Sequence, residues 1–134
     1  GTGATSVTAY VAAQDVGYAV NPALVEGQLE GAVQHGIEFA TLSELRLDRG
    51  IPANATLADY PVSGPAEMPD RMECVIVESA EGSGPYGAKG VGTPSILPVA
   101  PAVTNAVRDA VGTRFTTAPV RDEDVLFALR EGEE

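Results

Sequence analysis

Between Gly84 and Gly92 four of nine residues are glycine, at positions 84, 87, 90 and 92. Such a density serves neither core packing nor helix propensity. Glycine is used where the chain takes positive φ, or where another group approaches the main chain with no Cβ in the way. Thr93-Pro94 follows, and then a largely apolar run without glycine until Gly112. This reads as one helix from Pro94 to Val111, with Thr93 as N-cap and Gly112 as the C′ residue. A glycine-rich loop that feeds a helix N-terminus gathers free N–H groups at a positive dipole end, so its ligand is an anion or an oxygen-rich cofactor. The phosphate-binding loop G-x-x-x-x-G-K-[ST] is excluded. Gly82 and Gly87 have its spacing, but Ala88-Lys89-Gly90 brings the lysine one residue late with no Ser or Thr after it.

The 134 residues suffice for a single domain, 1–134, that buries about two-thirds of its unfolded surface. Nineteen acids against eight bases give a net charge of −11, which argues against nucleic acid or an anionic membrane as partner. No run is long and apolar enough to span a bilayer, and the opening Gly1-Thr2-Gly3-Ala4, without methionine, reads as a trimmed or excised piece. One cysteine, Cys74, excludes an internal disulfide framework and fits the cytoplasm, so the Asn54-Ala55-Thr56 sequon is not read as a glycan site.

Thr5 to Gln14 reads as a strand, with Val7, Ala9 and Val11 on one side and Ser6, Thr8 and Tyr10 on the other. Asn21-Pro22 opens a helix from Ala23 to about Ser43, whose buried face carries Val25, Leu29, Ala32, Val33, Ile37 and Ala40. Gly27, Gly31 and Gly36 lie inside it at about 1 kcal/mol each relative to alanine, which suggests close neighbours. A short strand at Leu45–Leu47 and a long loop from Ile51 to Asp70 follow. Met72 to Ser79 reads as a second strand around Val75 and Val77, with Cys74 a buried small hydrophobe. Asp122 caps a last helix, Glu123 to Leu129, before a frayed tail at 130–134. The order predicts an α+β fold, a small mixed sheet with helices packed mainly on one face. His35 has neither a second histidine nor clustered cysteines beside it and reads as a surface or interface residue, so no metal-ligand set is expected.

Asp15-Val16-Gly17, Asn21-Pro22, Gly27-Gln28-Leu29-Glu30-Gly31, Asp59-Tyr60, Met68-Pro69 and Gly84 to Gly92 occur in that order. Together they resemble the C-terminal segment of the molybdopterin-binding large subunit of the molybdenum hydroxylases, the xanthine dehydrogenase and aldehyde oxidase family. The resemblance spans nearly the whole chain. It implies part of an oxidoreductase that hydroxylates heterocycles or aldehydes with oxygen from water. In it Gln28 and the loop residues Gly87, Ala88, Lys89, Gly90, Val91 and Gly92 lie at the molybdopterin cofactor. It also implies that the remainder of the subunit completes the site, with iron–sulfur and flavin subunits as further partners. The isolated chain is then expected to hold no cofactor, to be inactive, and to self-associate or be only marginally stable. At Thr93 the family pattern has a glutamate, the general base of the reaction. A threonine hydroxyl does not ionise near neutral pH and cannot take that role. His35 and Glu38 are smaller departures, where the family usually has glutamine and glycine. A non-catalytic scaffold that keeps the fold is therefore the alternative reading.

Overall fold

A computed structural model describes residues 2–132. Strand β1 (Ala9–Asp15) is followed by the 20-residue helix α1 (Pro22–Thr41), a hairpin of β2 (Leu47–Asp48) and β3 (Ile51–Pro52), and strand β4 (Arg71–Val77). Helices α2 (Thr93–Ile96), α3 (Val99–Val111) and α4 (Asp122–Glu131) complete the chain, with short 3₁₀ turns at Pro65–Glu67 and Pro85–Gly87. β1 pairs with β4 in parallel, from Ala9 opposite Arg71 to Asp15 opposite Val77, and β2 pairs with β3 antiparallel. A parallel pair needs a crossover, and α1 supplies it.

Helix α1 begins where Asn21 accepts the Leu24 N–H and Pro22 occupies the first turn, where a missing N–H costs nothing. Its apolar stripe joins two buried clusters. Val33, Ile37 and Ala40 meet Val99 and Val103 of α3, while Val25 and Leu29 meet Val16 and Ala19. Burying a side chain such as Leu29 contributes about 1.5–3 kcal/mol. At Gly36 α1 and α3 pack closely: a Cβ there would stand 2.5 and 2.9 Å from the Val99 methyls.

The covered face of the sheet carries Tyr10, Ala12, Met72, Cys74 and Ile76, which pack on these clusters. The opposite face, with Val11, Val75 and Val77 at 55%, 36% and 44% exposure, is bare. Alternation is as expected from Ala9 onward, but the strand begins there and not at Thr5, Val7 packs on the covered side, and Val11, Val75 and Val77 lie on the uncovered one. Cys74 is half-buried rather than buried, and burial, then the charges of Glu30 and Glu26, raise its thiol pKa.

The long loop is ordered by polar anchors that propensity does not reveal. Glu38, 6% exposed, accepts the Ser63 N–H at 2.9 Å and its hydroxyl at 2.8 Å, and Gln34 donates to the Ser63 carbonyl. Asn54, 1% exposed, accepts the Arg46 N–H and donates to the Glu44 carbonyl. The hairpin strands sit at Leu47–Asp48 and Ile51–Pro52, later than the Leu45–Leu47 strand expected.

Three helix boundaries differ from expectation. The run after the glycine loop is two helices, because Pro98 has no N–H to continue the first turn and stands instead at the N-cap of α3. Thr93 is not a cap: Gly92 holds that position, Thr93 is the first helical residue, and no side chain caps α2. α4 starts at Asp122 with Arg121 as N-cap, its N–H accepted by the Asp124 carboxylate at 3.0 Å. It runs on to Glu131, so Arg130 and Glu131 are helical; residues 133 and 134 of the expected frayed tail lie outside the described residues.

Candidate functional site

The glycine-rich loop leaves β4, crosses the C-terminal end of β1 and enters α2. Its first half is held by its own backbone. Gly87, Ala88 and Lys89 donate their amides to the carbonyls of Gly84, Pro85 and Val16, at 3.1, 3.1 and 2.8 Å, and Glu81 donates to the Gly87 carbonyl. Tyr86 and Gly87 both take positive φ, 56° and 76°. For a tyrosine this is an uncommon and costly backbone conformation, and its ring is almost fully exposed. A Cβ on Gly84 would run into the Ala88 carbonyl.

Asp15-Val16-Gly17 is the receptor for this half. Gly17, at φ +68°, has no room for a Cβ beside the Gly87 carbonyl, and Val16 supplies the acceptor for Lys89 N–H. The Asp15 carboxylate accepts from Lys89 Nζ at 2.6 Å and from the Gly17 N–H and Ser79 hydroxyl at 2.9 Å each. The Lys89 contact first, then these two donors, hold the Asp15 carboxyl well below the usual carboxylate range, and Asp15 in turn raises Lys89. Lys89 is thus neutralised where it stands. Gln14, one residue earlier, donates Nε2 to the Gly90 carbonyl at 3.3 Å and accepts from the Ser95 hydroxyl of α2.

The second half is the part that presents itself. Among the described residues Gly90, Val91 and Gly92 donate no backbone–backbone hydrogen bond from their amides. Val91 packs its side chain on the Val16, Ala19, Val25 and Leu29 cluster, which anchors the loop to α1. Gly90 faces open space, and a Cβ on Gly92, at φ +105°, would lie 3.0 Å from Gln28 Oε1. The exposed Gln28 carboxamide of α1 and the glycine backbone therefore stand side by side. Thr93 follows, exposed, at the first turn of α2. A groove of about 730 Å³ runs along β1 beneath the loop, lined in part by Gln14, Asp15, Leu29, Lys89, Gly90 and Ser95.

The structure brings together Gln28, the 87–92 loop and Thr93, all singled out in the sequence. It leaves His35 exposed on α1, and no group of three or more His, Cys, Asp or Glu able to hold a metal ion occurs among the described residues. Sequence reasoning missed Gln14, Ser95 and the pairing of Asp15 with Lys89. Partners 74 to 81 residues apart leave no local signal.

Comparison with known proteins gives the same assignment. The chain is 38% identical over 108 residues to the xanthine dehydrogenase molybdenum-binding subunit of Escherichia coli O157:H7, covering 79% of this chain and 14% of that one. It is 34% identical over 129 residues to the aldehyde oxidoreductase of Megalodesulfovibrio gigas, covering 96% and 14%. Quinoline 2-oxidoreductase from Pseudomonas putida 86 superposes with a TM-score of 0.87 at 30% identity, over 97% of this chain and 17% of that one. The chain thus spans about 14% of the length of the curated relatives it matches. Residues 1–69, just over half of the 134, match the family model of the molybdopterin cofactor-binding domain, and the chain belongs to that family, in its xanthine dehydrogenase and aldehyde oxidoreductase branch.

Proposed function

We propose that this chain supplies one wall of a molybdopterin site: the Gly90–Gly92 backbone and the Gln28 carboxamide contact the cofactor, and Gly87, Ala88 and Lys89 form the base on which they stand. The observation that carries this reading is the juxtaposition of Gln28 with a glycine backbone that no Cβ shields. A pterin is a planar ring system edged with nitrogen and oxygen. Unengaged amides beside a carboxamide, which both donates and accepts, match such an edge, and the glycines let it approach the main chain. When bound, the molybdenum cofactor supplies the redox centre for hydroxylation of a carbon substrate with oxygen from water. This chain's residues bind and orient it. The rest of the site comes from the remainder of a large subunit, with iron–sulfur and flavin subunits as electron partners in the cytoplasm.

Proton transfer is a separate matter. Thr93 stands where the family pattern has its base, and the nearby Asp15 is already bonded to Lys89. This favours, as the second reading, a binding wall that holds cofactor without supplying the base. The bare sheet face around Val75 is proposed to meet the missing remainder, and in its absence another copy of the chain.

The test places this sequence in the large subunit of the E. coli relative, in place of the matching segment. Gln28→Ala is expected to lower cofactor retention relative to the parent graft, while unchanged retention would refute the contact. Thr93→Glu is expected to raise turnover by about 10²–10⁴, the scale a positioned base supplies. Brisk turnover with Thr93 in place would assign proton transfer to a residue outside this chain.

A further inference from the structure

We infer that Asp15 and Lys89 are a positioning pair: bonded to each other, they fix the backbone of Gly90–Gly92, and Lys89 serves the site as a strut and not as a contact to the ligand. What that backbone meets rests on the cofactor reading above; how it is held rests on the contacts alone.

Both Asp15 oxygens are engaged. Oδ1 accepts from Gly17 N–H and Ser79 Oγ, and Oδ2 accepts from Lys89 Nζ. The carboxylate is therefore aimed as well as charged. It sits on the last residue of β1, opposite Val77 of β4, so its position is set by a strand pair and not by the loop it restrains. Lys89 is tied at both ends, its N–H to the Val16 carbonyl at 2.8 Å and its ammonium to Asp15 at 2.6 Å. The next residue, Gly90, has its carbonyl held by Gln14 from the neighbouring position on the same strand. Two adjacent β1 side chains thus grip two adjacent loop residues, and the presenting half begins where their grip ends. A lysine free to bind an anion would keep its charge unpaired. Here an anionic carboxylate already takes it.

Amide hydrogen exchange in the 134-residue chain reads the restraint directly. Asp15→Ala and Lys89→Met are each expected to speed exchange, corrected for intrinsic rates, by about ten-fold or more at the bonded loop amides of residues 87–89, from which Gly90–Gly92 extend, as a local opening, with the α1 amides from Leu29 to Ala40 unchanged. The double variant is expected to match either single one, because a pair broken once has nothing more to lose. Unchanged loop exchange in the single variants overturns the inference. So do additive effects in the double variant, and so does equal acceleration in α1, which would mark a contribution to general stability. Molybdenum analysis of the grafted subunit separates the two proposals. If the unsubstituted graft holds no molybdenum while the exchange results stand, the pair is upheld and the cofactor reading is overturned.

Discussion

Three glycines on one helix respond with opposite signs to the same substitution. Replacing a helical glycine by alanine stabilises a helix interior by about 1 kcal/mol through backbone entropy. At Gly31 nothing lies within 4 Å of an added Cβ, so the full gain of about 1 kcal/mol is expected, and Gly27 is equally open. At Gly36 the new Cβ would meet the Val99 methyls at 2.5 and 2.9 Å and the Val99 Cβ closer still. Carbon atoms rest about 3.5–4.0 Å apart, so α1 and α3 must separate by about 1 Å or more. Val99 is 1% exposed and has nowhere to turn. Over-packing costs about 1–3 kcal/mol. A clash so near the main chain falls at the upper end of that range, and less the propensity gain the net loss is about 2 kcal/mol. Gly31→Ala and Gly36→Ala should thus differ by about 3 kcal/mol, or roughly 10 °C in Tm for a chain of this size. Urea and thermal denaturation at low protein concentration measure both. A Gly36→Ala midpoint at or above that of the parent would refute the close α1–α3 approach.

Glu38→Ala removes the acceptor of two bonds from the buried Ser63 and is expected to cost about 1–3 kcal/mol, with Glu38→Gln milder, by denaturation midpoint. Thr93→Ala, at a position that caps nothing, is expected to change stability by less than about 0.5 kcal/mol, and a loss of about 1 would restore the cap. The Asp15–Lys89 pair sets a pH window. The depressed Asp15 contributes fully above about pH 3.9 and fails as acid passes below it; the raised Lys89 contributes fully below about pH 10.4 and fails as base passes above it. Protection of the bonded loop amides of residues 87–89, corrected for intrinsic exchange, should therefore be flat from about pH 4 to 10, with Glu81 the other acid near the pair. A transition between about pH 6 and 8 would contradict it.

How much was legible in the sequence follows the range of each interaction. α1 was readable because Asn21-Pro22 and the stripe from Val25 to Ala40 are local signals. β1 and β4 were readable as strands, but not which face would be covered, since that depends on where α1 lands. The break at Pro98 was overlooked because prolines near a helix start look permissible in either arrangement. Thr93 looked like a cap by residue type, whereas the positive φ of Gly92 gave the cap to the glycine. Glu38 looked like a departure from pattern, and packing shows it as the anchor of the long loop. In the site, Gln28 and the glycines were found by motif. Their support, Gln14 and the Asp15–Lys89 pair, joins residues more than seventy positions apart and emerges only from the folded chain.

The central claim is that Gln28 and the Gly90–Gly92 backbone form one wall of a molybdopterin site. Metal analysis of the grafted large subunit, set beside Gly92→Val in the same graft, tests it most directly. Valine at φ +105° is strained, and its Cβ would press against Gln28 Oε1 at 3.0 Å, closing the wall at the start of the four-residue α2 while leaving the long helices α1 and α3 intact. Molybdenum near one atom per subunit in the parent graft and a marked loss in Gly92→Val, at unchanged helix content, is the predicted result. Equal molybdenum in both would contradict it.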